Sequence, residues 1–145
     1  MSDKTMKFVE EQINKDEILN KLLEEFPVEE MLSYNEFDVL AKLPLNPYYT
    51  EQFRLLYLSH LGKLERVEMM LDERMAKLYT ELKNGEVALT KVEIEKYYIP
   101  KDDKVMSLKR TIVRQNIRVG FFEAIYKAFD KQGWQMKQFI LKMGE

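Results

Sequence analysis

Three arginines near the carboxyl end are the residues of this chain best suited to chemistry. Arg110, Arg114 and Arg118 recur at intervals of four, which places them on one face of a helix. A guanidinium group is always charged and matches the geometry of phosphate oxygens. The whole chain has a net charge of −2, yet residues 1–40 carry −7 and residues 96–145 carry +6. This asymmetry predicts an acidic segment and a basic surface that binds a polyanion.

The residue types that most enzymes require are missing or isolated. The chain has no cysteine, one histidine, His60, and neither a P-loop nor a GxGxxG sequence. We therefore expect no catalytic residue, no metal ion and no cofactor. His60 is expected to be a packed or surface side chain. We expect helix capping and solvation, and not a metal site, to account for the carboxylates of Glu93, Glu95, Asp102 and Asp103.

Composition and periodicity predict an all-α fold with two long helices. Glycine and proline are few, and Leu, Lys, Glu and Met are abundant. Residues 51–83 are predicted to form the first long helix, with Thr50 as its N-cap. Its core-facing positions alternate at spacings of three and four: Leu61, Leu64, Glu68, Leu71, Met75, Leu78 and Leu82. Such a helix is about 50 Å long, so it must pack along another long helix of the same subunit or of a neighbour.

The second long helix is predicted to begin at Asp102 and Asp103 and to continue to about Phe129. A break at Gly133 and a resumption to Met143 are expected. The two long helices should form an elongated antiparallel hairpin. A helical wheel places on one core-facing stripe the residues Val105, Leu108, Ile112, Val119, Phe122 and Tyr126.

The three arginines occupy an arc of the wheel that is separate from this stripe. Ile117 and Phe121 lie on the same arc. An arc that combines cations with an aromatic ring is suited to following a phosphate backbone while bases stack. A solvated helix face with ordinary charge spacing is the alternative interpretation.

The remaining segments are shorter. An acidic amphipathic helix is predicted over residues 6–26, an irregular connection over 27–50, and a short helix or extended connection over 87–99. We accordingly divide the chain into an acidic helical extension, 1–33, and a helical domain, 34–145. The extension packs on the domain, binds a partner, or occupies the basic face when nucleic acid is absent. The start of the chain lacks signal-peptide features, and we expect a soluble intracellular protein.

Several segments together resemble the recombination mediator proteins of phages of the UvsY type. The resemblance covers about residues 36–144 and depends on order and spacing rather than on one motif. It includes residues 37–53, residues 89–112, and the ending 121–140 with its single tryptophan. It also includes, before the glycine turn, the set Arg74, Lys77, Leu78, Glu81 and Gly85.

The resemblance implies a small all-helical protein that forms a ring-like homo-oligomer of six to eight subunits and binds single-stranded DNA. Such proteins help a RecA-like recombinase to replace a single-strand binding protein on the strand, here in the cytoplasm of an infected bacterial host. By position, DNA contact falls to Arg74 and Lys77. Assembly falls to the stretch that contains Phe122, Ile125, Tyr126, Phe129, Trp134, Phe139 and Ile140.

Adding the residues indicated by charge, the nucleic-acid-binding candidates are Lys77, Arg74, Lys83, Arg110, Arg114 and Arg118. Lys77 is our first choice. The first three residues equally suit a charged coiled-coil flank. Trp134 suits either base stacking or an interface, and we favour the interface. The main alternative function is a helical scaffold or adaptor that does not bind nucleic acid, and a small metal-dependent hydrolase is a third.

Overall fold

The computed structural model describes residues 15–144, and the chain in this range is almost entirely helical, without any β-strand. The all-α prediction is confirmed for this range. The predicted acidic helix is described only from residue 15 onward, and its earlier part lies outside the described residues. The helices are α1 (residues 15–25), α2 (Val28–Leu32), α3 (Val39–Lys42), α4 (Asn46–Lys83), α5 (Lys91–Glu93) and α6 (Asp103–Met143).

Helix α4 is 38 residues long and begins earlier than predicted. It starts at Asn46, and Pro47 occupies the first turn, where a proline costs no hydrogen bond. The predicted N-cap, Thr50, was wrong. Its hydroxyl lies inside the helix and donates a hydrogen bond to the Asn46 carbonyl at 2.8 Å. The predicted end of the helix at Lys83 is confirmed.

The segment predicted to be an irregular connection, 27–50, is mostly helical. It contains α2, α3, a 3-10 turn over Leu43–Leu45 and the start of α4. A turn joins α2 to α3, and in it the Asn35 side-chain oxygen accepts from the backbone N–H of Phe37 at 2.8 Å. Two of the three prolines in this segment, Pro44 and Pro47, stand in first turns of helical elements, where proline is tolerated, and Pro27 is the N-cap of α2.

Helix α6 is 41 residues long and runs without a break through Gly133. The expected interruption there was wrong. A glycine in a helix interior costs about 1 kcal/mol relative to alanine, which is not enough to end a helix that packs well on its neighbours. The segment before α6 is helical from Lys91 to Lys101: α5 continues as a π-helix over Ile94–Tyr98 and a 3-10 turn over Ile99–Lys101, whereas residues 84–90 are not helical.

The chain divides into two compact units, and both long helices contribute to each. Unit 1 comprises the described residues of Met1–Leu61 and Ile117–Glu145, and unit 2 is Gly62–Asn116. In unit 1, successive ring contacts show α4 and α6 running antiparallel. Phe53 stacks on Phe129 with centroids 5.3 Å apart, and one turn later Tyr57 meets Tyr126 at 5.5 Å.

The core of unit 1 is rich in aromatic side chains. Its buried members are Leu22, Val28, Phe53, Phe121, Phe122 and Phe129. Leu22 and Val28 belong to the segment predicted to be an acidic extension, 1–33. The described part of that segment therefore packs within unit 1. This agrees with the first of the three interpretations of the acidic helix, in which it packs on the domain. The division of the chain into an extension, 1–33, and a domain, 34–145, stays a prediction.

The core of unit 2 is small and aliphatic. Three buried residues, Ile94, Ile99 and Val105, pack against partly buried side chains of α4. Four of those α4 residues stand at the predicted alternating spacing: Leu71, Met75, Leu78 and Leu82. The partner that the first long helix needed along this stretch is thus supplied by the same chain.

Candidate nucleic-acid interface

The first part of α6 carries four unpaired cations in unit 2. Lys104, Lys109, Arg110 and Arg114 are all exposed, and none forms an ion pair with another described residue. The same stretch of helix has buried positions at Val105 and Leu108, so the helix is held by one face and offers its charges on others. Exposed cations without an internal partner exchange their counterions readily for phosphate groups.

The start of this helix is fixed by Asp102. Its carboxylate oxygen accepts a hydrogen bond from the Val105 backbone N–H at 2.9 Å, which caps the first turn of α6. The same carboxylate binds Arg74 of α4 through two hydrogen bonds of 3.1 and 2.9 Å. The hydrogen bond from Arg74, followed by that from Val105, lowers the pKa of Asp102 below its ordinary value. The hydrogen bond to Asp102 raises the pKa of Arg74.

Arg74 is therefore engaged inside unit 2. Its guanidinium and the Asp102 carboxylate form a bidentate pair with both side chains largely covered, a geometry that holds α4 to the start of α6. DNA contact by Arg74 stays a prediction. Such contact would be made by a guanidinium that already binds the Asp102 carboxylate.

Lys77 has none of these commitments. It lies one turn after Arg74 on α4, is exposed, and has no ion-pair partner in residues 15–144. Lys83 is also exposed, but its ammonium group donates to the Leu89 carbonyl at 3.3 Å and helps to hold the following turn. Among the three candidates on α4, Lys77 is the one that forms neither an ion pair nor a side-chain hydrogen bond with another described residue.

The arc that combined arginines with Phe121 is not an exposed surface along its whole length. Phe121 is buried in the core of unit 1 and meets Phe122 edge-to-face at 5.2 Å. Arg118, also in unit 1, is only partly exposed. The wheel could not anticipate this, because the residues that share the core with Phe121 include Leu22 and Val28 from a distant part of the sequence. The prediction that the Phe121 ring is available to stack on bases was wrong.

The seven predicted assembly residues differ in how much of each side chain is buried within a single chain. Phe122 and Phe129 are 1% and 0% exposed within a single chain, so neither has surface left for a neighbouring subunit. Ile125 and Tyr126 are partly buried against the same core. Partial or full exposure remains at the other three positions: Trp134, which is 65% exposed, and Phe139 and Ile140.

His60 packs as expected. Its ring stacks on Phe122 with centroids 4.7 Å apart. Within residues 15–144, no group of three His, Asp or Glu side chains is arranged to hold a metal ion. No helix in the same range is both long and apolar enough to cross a membrane.

Two exposed tyrosines escaped the sequence analysis. Tyr97 and Tyr98 lie in the π-helical segment between the buried Ile94 and Ile99. The available signal was an adjacent aromatic pair inside a lysine-rich stretch. The capping box at the start of α5 could also be identified from the sequence. In it, the hydroxyl of Thr90 accepts from the Glu93 backbone N–H at 3.2 Å, and the Glu93 carboxylate accepts from the Thr90 N–H.

Comparisons with known proteins add no relative. A scan against protein-family models, a search of curated proteins and a search of solved structures each found no match.

Proposed function

We propose that this chain binds single-stranded DNA and acts as a recombination mediator, helping a RecA-like recombinase to assemble on strands covered by a single-strand binding protein. The observation that carries the proposal is the set of exposed, unpaired cations on α6, Lys104, Lys109, Arg110 and Arg114, in a chain whose net charge is negative. Lys77 adds a further free charge in the same unit. The resemblance in sequence order supplies the recombination context.

The proposal includes assembly into a homo-oligomer of six to eight subunits. Exposed apolar side chains in unit 1 support it, because a monomer would leave them in water: Tyr48, Leu55, Leu58, Trp134 and Leu141. A ring repeats one basic surface in every subunit, so modest contacts in each add up through raised effective concentration. The same apolar residues support the second candidate, a scaffold that binds another protein instead of DNA.

A salt titration with labelled single-stranded oligonucleotide tests the DNA proposal. We expect the logarithm of the affinity to fall steeply with the logarithm of salt concentration, with a slope of about −0.7 per phosphate contact. The Lys77→Ala variant and the double Arg110→Ala, Arg114→Ala variant should bind more weakly and with shallower slopes. Fluorescence anisotropy measures both quantities.

Arg54→Ala is the matched control, since it removes an exposed cation that is already paired with Glu51 at 2.7 Å. It should leave affinity and slope nearly unchanged. Absence of binding by the wild-type protein at micromolar concentration and low salt would reject DNA binding and favour the scaffold. Native mass measurement on the same samples tests the oligomer, and a monomer would contradict it.

A further inference from the structure

Tyr97 and Tyr98 form an exposed aromatic pair in unit 2. Tyr97 is 59% and Tyr98 46% exposed, and neither ring contacts another aromatic ring among the described residues. Adjacent exposed rings form an apolar surface, and apolar surface patches can mark binding sites.

The segment that carries them is anchored on both sides. Ile94 is completely buried and Ile99 nearly so, and both pack into the core of unit 2 with Val105. The capping box between Thr90 and Glu93 fixes the start of the segment. The tyrosines are thus held on a supported element, which reduces the ordering cost when a ligand binds.

The backbone between the two isoleucines is a π-helix, over Ile94–Tyr98. π-helical turns are rare because their hydrogen bonding is less favourable than that of an α-helix, and they are frequent at functional sites. The turn leads directly into the 3-10 turn Ile99–Lys101 and the start of α6. It is an irregular connection that the fold retains between two buried positions, and the exposed rings are part of it.

The charges around the pair favour an anionic ligand. Two carboxylates of the segment pair with cations: Glu95 with Lys91 at 4.0 Å, and Asp102 with Arg74. Glu93 accepts hydrogen bonds in the capping box but keeps its charge, and Asp103 forms no ion pair with a described residue, so two unpaired carboxylates remain. In contrast, the described chain supplies no ion-pair partner for the exposed lysines Lys96, Lys101 and Lys104. The balance of free charge beside the tyrosines is therefore positive.

We propose that Tyr97 and Tyr98 are a stacking platform for the bases of a single-stranded nucleic acid, with Lys96, Lys101 and Lys104 binding its phosphates. Aromatic rings stack on any base, and nearby cations hold the backbone, which is the combination that binds single strands without sequence preference. This inference rests on the proposed function and locates its base contacts. A duplex keeps its bases stacked internally and does not offer them to such a platform.

The test compares two labelled strands of equal length, oligothymidylate and a strand of abasic sites, which carries the same phosphates without bases. Wild-type protein should bind the abasic strand more weakly. The double Tyr97→Ala, Tyr98→Ala variant should lose about tenfold or more in affinity for oligothymidylate. It should no longer distinguish the two strands, and its salt slope should remain that of the wild type because no cation is removed.

Two control variants isolate the rings. Tyr97→Phe with Tyr98→Phe keeps the stacking surfaces and should bind as the wild type does. Phe37→Ala removes a ring of unit 1 that is 89% exposed and should have no effect on binding. Circular dichroism checks that each variant keeps its helicity.

The outcomes separate this inference from the proposed function. Unchanged binding by the alanine variant, with the wild type binding oligothymidylate, overturns the platform and leaves DNA binding intact. Absence of binding by the wild type overturns both. A change in native mass in the alanine variant, without the loss of base discrimination, would assign the tyrosines to contact between copies of the chain and would also overturn the platform.

Discussion

The two units differ in how many of their aromatic side chains pack against one another. Every ring-to-ring contact among the described residues lies in unit 1, where Phe53, Phe122 and Phe129 form the centre of the core. Unit 2 has an aliphatic core and leaves Tyr97 and Tyr98 in solvent. Aromatic side chains bury more area than aliphatic ones. The buried rings of unit 1 therefore contribute more apolar burial than the core of unit 2, although unit 1 also exposes Phe37, Tyr48 and Trp134.

Buried polar groups sharpen the comparison. In unit 1 the Asn46 side-chain amide donates to the Phe129 carbonyl at 2.6 Å and to the Gln132 side-chain oxygen at 3.0 Å. Gln132 in turn donates to the Leu32 carbonyl at 2.8 Å. This network joins α2, α4 and α6 and is satisfied within the chain. The corresponding polar link in unit 2 is the Arg74–Asp102 pair, which remains partly open to water.

The largest effect should come from removing an aromatic ring of unit 1. Phe122→Ala should lower the free energy of unfolding by about 3–5 kcal/mol, because it leaves a cavity among Phe26, Phe53 and the stacked His60. The comparison variant in unit 2, Ile94→Val, removes one methylene and should cost about 0.5–1.5 kcal/mol. Urea denaturation followed by circular dichroism measures both.

Equal losses in these two variants would show that the aromatic cluster is not the main source of stability. Trp134 provides a second probe, since the only tryptophan of the chain lies in unit 1. If the fluorescence and circular dichroism transitions of Phe122→Ala separate, the two units unfold independently.

The sequence predicted what depends on local periodicity. Helical spacing identified the stripe that includes Val105, Leu108, Val119 and Phe122, all of which are buried. It failed at Phe121, because burial there depends on a segment about a hundred residues earlier. The same limitation hid the partner of Arg74, a guanidinium that looked free until Asp102 was brought beside it.

A smaller effect should come from the glycine at which a helix break was expected. A Cβ atom at Gly133 would lie 2.5 Å from the side-chain oxygen of Asn46, and the amide nitrogen of the same side chain is held by two hydrogen bonds that restrict its movement. Gly133→Ala should therefore cost about 1–2 kcal/mol, the loss of a buried hydrogen bond offset in part by better helix propensity. Thermal denaturation measures the change.

Gly120→Ala is its matched control on the same helix and in the same unit. A Cβ at Gly120 meets no atom within 4 Å, so the substitution should stabilise the protein by about 0.5–1 kcal/mol. The two variants should therefore change stability in opposite directions. A stabilising Gly133→Ala would mean that the polar network of unit 1 adapts easily and contributes little to the stability of the fold.

The smallest effect concerns the polar link of unit 2. Because hydrogen bonds from Arg74 and then Val105 lower the pKa of Asp102 in the folded chain, its carboxylate stabilises the fold above the unfolded pKa of about 4 and loses that contribution as pH falls. Asp102→Asn keeps a helix cap but removes the ion pair, so its stability should fall below that of the wild type at neutral pH and approach it in acid. Urea midpoints measured across this pH range test the convergence. A difference for Asp102→Asn that persists at low pH would assign the contribution to shape instead of charge.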